Sequence, residues 1–144
     1  MISFKDNIDV DQARERVFGF ISDLNNLSRF QAEVVQTKVI TPGPIVVGTR
    51  FDEMVKLGPW RVPTECVVTE FDPRGSMTFQ ATSKPVSYVG RFTVEAVGNG
   101  SRVTIQGTAR LRGLWRLLEP ILAGDVRKGV RHELAAIKRL TEAL

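Results

Sequence analysis

Four side chains in this sequence have the chemistry to do more than pack: Glu53, Cys66, Tyr88 and His132. Glu53 stands between Phe51 and Val55 on one face of the period-two run RFDEMVKL. A carboxyl on an apolar strand face must be hydrogen-bonded, paired with a cation or protonated. There it can anchor the polar end of a ligand or exchange a proton as a general acid or base. If Gly58-Pro59 is a two-residue turn, Glu53 falls opposite Thr64 and Phe51 opposite Cys66. The same register sets Asp52 against Glu65 and Lys56 against Arg61, and Pro63 suggests a bulge or an edge. The alternative, in which Glu53 faces water, therefore stays open. Tyr88, the sole tyrosine, offers a hydroxyl on an otherwise apolar face, either to a ligand oxygen or to a backbone partner. Cys66, the sole cysteine, reads as a small core residue, since only a lowered pKa would make it a nucleophile. His132, the sole histidine, lies among charges on a helix, where a solvated or ion-paired role is expected.

Several chemistries are absent by type. One histidine cannot build a multi-histidine metal site, and HELAA lacks the second histidine of a zinc-protease HExxH. There is no G-x-S-x-G elbow and no phosphate-binding G-x-x-x-x-G-K-[ST]. No metal and no cofactor are expected, and no residue is assigned as catalytic.

The chain has 144 residues, 42% hydrophobic and 25% charged, a globular composition long enough for one core without disulfides. A single domain over residues 1–144 is expected. The opening MISFKDNIDV alternates instead of forming a basic segment and an apolar run, and nothing approaches about 20 consecutive apolar residues. With a lone cysteine, these features point to a cytoplasmic location. The formal charge is +4, and eight basic against four acidic residues from Arg110 onward account for all of it. A solvated helix face is the plain reading. Peripheral contact with an anionic membrane through Arg127, Lys128 and Arg131 is the alternative. Nucleic acid is not expected, because no aromatic residues interleave with the charge. Oligomeric state has no signature here.

These residues must be positioned by elements. Ile2 to Val10 alternates as a strand, Asp11 is a reasonable helix N-cap, and Val17, Phe18, Ile21 and Leu24 recur at helical spacing. A second short helix is expected over Leu24 to Phe30. Period two then predicts strands near Val34–Ile40, Thr49–Leu57, Trp60–Phe71, Ser76–Ser83, Ser87–Val97 and Arg102–Arg112, joined by short turns into an antiparallel meander. Asp72-Pro73-Arg74-Gly75 suits a type I turn and Asn99-Gly100 a type I′ hairpin. The last stretch carries an apolar helical stripe through Leu114, Leu118, Ile121, Val126, Val130, Leu134, Ile137 and Leu144, able to cover the apolar sheet face. Pro120 either kinks this helix or begins its straight part. Gly124 and Gly129 suggest close approach to the sheet, or else a flexible lid.

This order, with VFGFISDLNNLSRF, GPIVVGTRF, VVTEFDP and the closing GLWRLLEPILAGDVRKGVRHELAAIKRL, resembles the START-like helix-grip (SRPBCC) superfamily, in its polyketide cyclase/dehydrase and lipid-transport branch. The resemblance implies an α+β fold: a curved antiparallel sheet of about seven strands wrapped on a long C-terminal helix, with two short helices after the first strand. It also implies an apolar cavity between sheet and helix that holds a hydrophobic small molecule such as a lipid, polyketide or quinone. The expected lining is Phe51, Glu53, Val55, Thr64, Cys66, Phe79, Tyr88, Phe92, Ile105, Gly107, Ala109, Trp115, Leu118 and Leu122. A carrier or sensor is the leading expectation. The alternatives are a metal-free cyclase/dehydratase-type enzyme using Glu53 and Tyr88, and a protein-interaction domain with a filled core.

Overall fold

Alternation sends Ile2, Phe4 and Val10 to one face of the opening strand, and in the computed structural model, which describes residues 1–144, all three are buried on β1 (Ile2–Val10). The meander follows as β2 (Val34–Val39), β3 (Arg50–Leu57), β4 (Trp60–Asp72), β5 (Ser76–Thr82), β6 (Val86–Val97) and β7 (Gly100–Leu111). All pairings are antiparallel, in the order β1-β7-β6-β5-β4-β3-β2, so the first strand joins the far edge beside the last. This is the expected α+β helix-grip order.

Local chemistry fixes the registers. Gly58, with φ of 61°, and Pro59 form a two-residue turn, so Leu57 pairs with Trp60 and Glu53 falls opposite Thr64. The like-charged pairs Asp52–Glu65 and Lys56–Arg61 are present but face water, where repulsion is weak, and Lys38 opposes Asp52 from the other side. Pro63 is tolerated because it lies beyond the end of β5, on the part of β4 with only one partner. At Asp72–Gly75 the Gly75 N–H donates to the Asp72 carbonyl at 3.0 Å, and the Asp72 side chain accepts from the Arg74 N–H at 2.9 Å. The β6–β7 hairpin differs from expectation. Its loop is Gly98-Asn99, one residue earlier than Asn99-Gly100, and only Gly98 has positive φ, at 58°. That is the type II′ pattern, which relieves Asn99 of the left-handed conformation type I′ would impose.

Three helices lie on the apolar face: α1 (Arg14–Ser22), α2 (Leu27–Phe30) and α3 (Glu119–Glu142). The N-cap of α1 is Ala13 without a side-chain cap, not Asp11; the Asp11 N–H is instead bound by Glu142 at 2.7 Å. A 3-10 turn at Leu24–Asn26, capped by Asp23, leads into α2. Another covers Gly113–Leu118, and Pro120 then stands in the first turn of α3, where its missing N–H costs nothing.

The helices divide the apolar space in two. Val17, Ile21, Leu24, Leu27 and Phe30 meet Phe92, Val94, Val103 and Ile105 of the sheet and Leu134 and Ile137 of α3 in one filled core. Each such side chain contributes roughly 1.5–3 kcal/mol. The stripe predicted along α3 buries only toward its C-terminal half. Leu114, Leu118, Ile121 and Leu144 are exposed, and so are Arg127, Lys128, Arg131 and His132. No helix is long and apolar enough to cross a membrane.

Candidate functional site

Beneath the N-terminal half of α3 the core is not filled. A cavity of about 310 Å³ opens between that half-helix, the sheet and the α2–β2 connection. Leu122, Asp125, Val126, Gly129, Val130 and Glu133 form its ceiling; Ile2, Phe4, Val55, Leu57, Val62, Phe79, Ala81, Val86, Tyr88, Ala109 and Leu111 supply most of its walls. The glycines explain both surfaces. A Cβ on Gly107 would collide with the Val89 carbonyl and sit 2.8 Å from the Phe4 ring, and one on Gly90 would come within 2.7 Å of Tyr88. These glycines therefore form a floor on which Phe4 and Tyr88 stack, with ring centroids 5.7 Å apart. The ceiling is the reverse. A Cβ on Gly124 or Gly129 meets nothing within 4 Å, so neither glycine serves close packing, and the close-approach reading of these two is corrected.

Of the expected lining, Glu53, Val55, Thr64, Phe79, Tyr88, Ala109 and Leu122 are brought together on the cavity wall. Phe51, Cys66, Phe92 and Ile105 point into the filled core instead, because they stand toward the end of the sheet covered by α1, α2 and the second half of α3. Gly107 lies under the Phe4 ring. Trp115 and Leu118 fall outside the lining because the 3-10 turn ahead of Pro120 changes their direction: Trp115 packs edge-on against Trp60 at the β3–β4 hairpin, 5.6 Å between centroids, and Leu118 is exposed.

The polar part of the site comes from three carboxyls, two of which sequence reasoning misses. Glu53 is inward and only 6% exposed; its Oε1 accepts from the Cys66 thiol at 3.3 Å, while Oε2 is buried without a partner. Burial, with the charge of Glu33 adding to it, raises its pKa to about 7 despite the thiol hydrogen bond. Glu133 is 5% exposed and accepts at Oε1 from Gln31 Nε2 at 2.8 Å. Burial first, then Glu33 and Glu53, holds it well above the usual carboxyl range. Glu33 is at the rim. The residue is exposed, yet protein around its carboxyl raises its pKa. A signal for Glu133 existed: it is three residues after Val130 and four before Ile137, on the apolar stripe itself.

The remaining candidates fall into place around these acids. Burial and the adjacent Glu53 push the Cys66 thiol far up, so it is a protonated donor and not a nucleophile. Tyr88 is likewise raised, by burial and then by Glu133, Glu33 and Glu53, and stays a hydrogen-bond donor. No group of three or more histidine, cysteine or acidic residues has metal-binding geometry. The arrangement can enclose an apolar body and meet its polar end with carboxyls, of which Glu53 can carry or release a proton near pH 7.

Comparison with known proteins agrees with this fold. Residues 1–142 match the family described as polyketide cyclase/dehydrase and lipid transport. No curated protein matches by sequence. Among solved structures, a START superfamily protein from Mycobacterium smegmatis superposes with a TM-score of 0.84 at 9% identity, covering 99% of each chain. A protein from Thermus thermophilus gives 0.83 at 19% identity, covering 98% of this chain and 97% of the other. The Zhui aromatase/cyclase from Streptomyces sp. R1128 gives 0.78 at 12% identity, covering 97% and 93%. At these identities the likeness is one of fold.

Proposed function

The chain belongs to the polyketide cyclase/dehydrase and lipid transport family, and we propose that this member reversibly binds a hydrophobic small molecule in the space between its sheet and the first half of α3. The observation that carries this reading is the cavity itself, with 15 of its 25 lining residues hydrophobic. Close packing is the default of protein interiors, and an apolar void beside a filled core is the usual form of a ligand site. Gentle purification followed by extraction and mass analysis tests it. A lipid-, polyketide- or quinone-like species in stoichiometric amount is expected; protein that neither carries one nor takes up an apolar dye returns the filled-core interaction reading.

A cyclase/dehydratase-type activity is the second reading, favoured by one observation: Glu53 has an unpartnered oxygen in the cavity wall and a pKa of about 7. A group poised there can both take and give a proton. Glu53→Gln keeps the shape and removes the exchangeable proton, so an enzyme would lose turnover while retaining binding, whereas a carrier would show no such split.

Peripheral membrane contact has support at a different place from Arg127, Lys128 and Arg131. Leu114, Leu117 and Ile121 are exposed on the segment entering α3, beside the exposed Arg112 and Arg116. We propose that this apolar and basic surface touches anionic bilayers. Binding to phosphatidylserine vesicles should fall as salt rises and drop further in Leu117→Asp. No binding at low salt would leave the surface merely solvated.

A further inference from the structure

The charges around the cavity are lopsided. Its lining holds four acidic residues and one base, Lys56, which stands exposed on the strand next to the β3–β4 turn. No arginine or histidine lines it. Glu53 has its Oε1 taken by Cys66 and its buried Oε2 unmatched, an acceptor that the protein leaves unsatisfied. A buried acceptor without a partner is costly, and in a residue that lines a ligand space it is explained when the ligand supplies the donor. Glu133 comes down from the ceiling with Oε1 held by Gln31, which leaves its second oxygen to meet an occupant.

We propose that the molecule bound here is an apolar amine, its protonated nitrogen held between Glu53 and Glu133 and its hydrocarbon body against the apolar walls. This rests on the ligand-binding reading above and names the ligand's class. An ammonium group brings three donors and a positive charge, and so satisfies both open carboxylate oxygens at once. An alcohol brings one donor and no charge. A carboxylic acid adds a further carboxyl to a lining that already holds four, and its only cationic partner is Lys56 at the exterior. Electrostatics point the same way: burial first, and then the charge of Glu33, raises both Glu53 and Glu133, with Glu53 adding to Glu133, and a bound cation offsets these costs of ionisation.

The test uses Nile red, a neutral apolar dye, bound to the intact protein at about pH 8, and displacement by decylamine, decanol and decanoate below their aggregation concentrations. Decylamine should displace the dye at a concentration about tenfold or more below decanol, with decanoate weakest. In the Glu53→Gln/Glu133→Gln double variant the amine's advantage over decanol should vanish. If that variant fails to fold, Glu53→Gln alone should reduce the advantage severalfold. The proposal is overturned if decanoate matches decylamine, or if the amine's advantage survives in the variants. Failure of Nile red to bind at all would instead overturn the ligand-binding reading, and the amine with it.

Discussion

Gly129→Leu will stabilise the protein and at the same time expel its ligand. Gly129 is inside α3, where replacing glycine by leucine contributes roughly 0.5–1 kcal/mol of helix propensity. Its Cβ direction opens on empty cavity, so the leucine side chain buries apolar surface without displacing any neighbour. The two effects together should amount to about 1–3 kcal/mol of added stability. The same side chain occupies part of a space of about 310 Å³, and Nile red affinity should fall about tenfold or more. Urea unfolding and dye titration measure the two. Gly124→Ala is the control, since that glycine also faces open space but does not line the cavity: it should gain about 1 kcal/mol and bind dye normally. If the space is closed in solution, Gly129→Leu overpacks it and stability falls instead, by about 1–3 kcal/mol.

The second large effect is a loss of stability with rising pH. Glu53 has a folded pKa of about 7 against an ordinary 4.5, so the folded protein holds this proton more tightly than the unfolded chain does. The resulting stabilisation is fully present below about pH 4.5 and is lost as pH rises through 7. At roughly 1.4 kcal/mol for each pH unit between the two values, the loss is on the order of 3 kcal/mol. Glu133, also raised chiefly by burial, adds to the decline. Asp9, Asp72, Glu119 and Glu142 have lowered pKa values, and their opposite contributions are complete above the ordinary carboxyl range. Unfolding midpoints between about pH 5 and 8 therefore isolate the buried acids. The wild type should weaken over that window, and Glu53→Gln should remove the part of the slope below about pH 7 that Glu53 contributes, leaving the part due to Glu133. An unchanged slope in the variant would mean that Glu53 is already ionised and solvated.

Both predictions depend on residues that the sequence treats unequally. Strands and turns are legible because their signals are local: period two sorts faces, and Gly58-Pro59 sets a register that carries Glu53 inward even though it also aligns Asp52 with Glu65. The cavity is less legible, because it is an absence, and glycines write absence and close contact in the same letter. Gly107 lies under a ring, Gly129 under nothing, and only the fold distinguishes them. Glu133 hides for another reason. Its neighbours Arg131 and His132 are exposed, and a run of polar residues reads as surface unless the helical phase is followed back to Val130. Trp115 and Leu118 are expected on the lining for the size of the one and the stripe position of the other, but the 3-10 turn ahead of Pro120 directs them elsewhere.

The edge position of β1 governs when the pocket comes into being. The hairpins from β2 to β7 close over ten residues at β2–β3 and two or three elsewhere, whereas Ile2 must find Ala109 and Val10 must find Ser101 across nearly the whole chain. Closing a loop of about a hundred residues costs on the order of 4 kcal/mol in chain entropy, so this pairing follows the meander and does not nucleate it. The helix α3 is fastened mainly to that late strand: Lys138 donates to the Asp9 carbonyl at 3.1 Å, and Arg131 faces Asp6 at 3.9 Å. The part of the wall on β1, Ile2 and Phe4, and the ceiling thus arrive together at the close of folding. A ligand cannot template the early steps, and it acts as a latch on the finished molecule, slowing the departure of the same two elements that joined last.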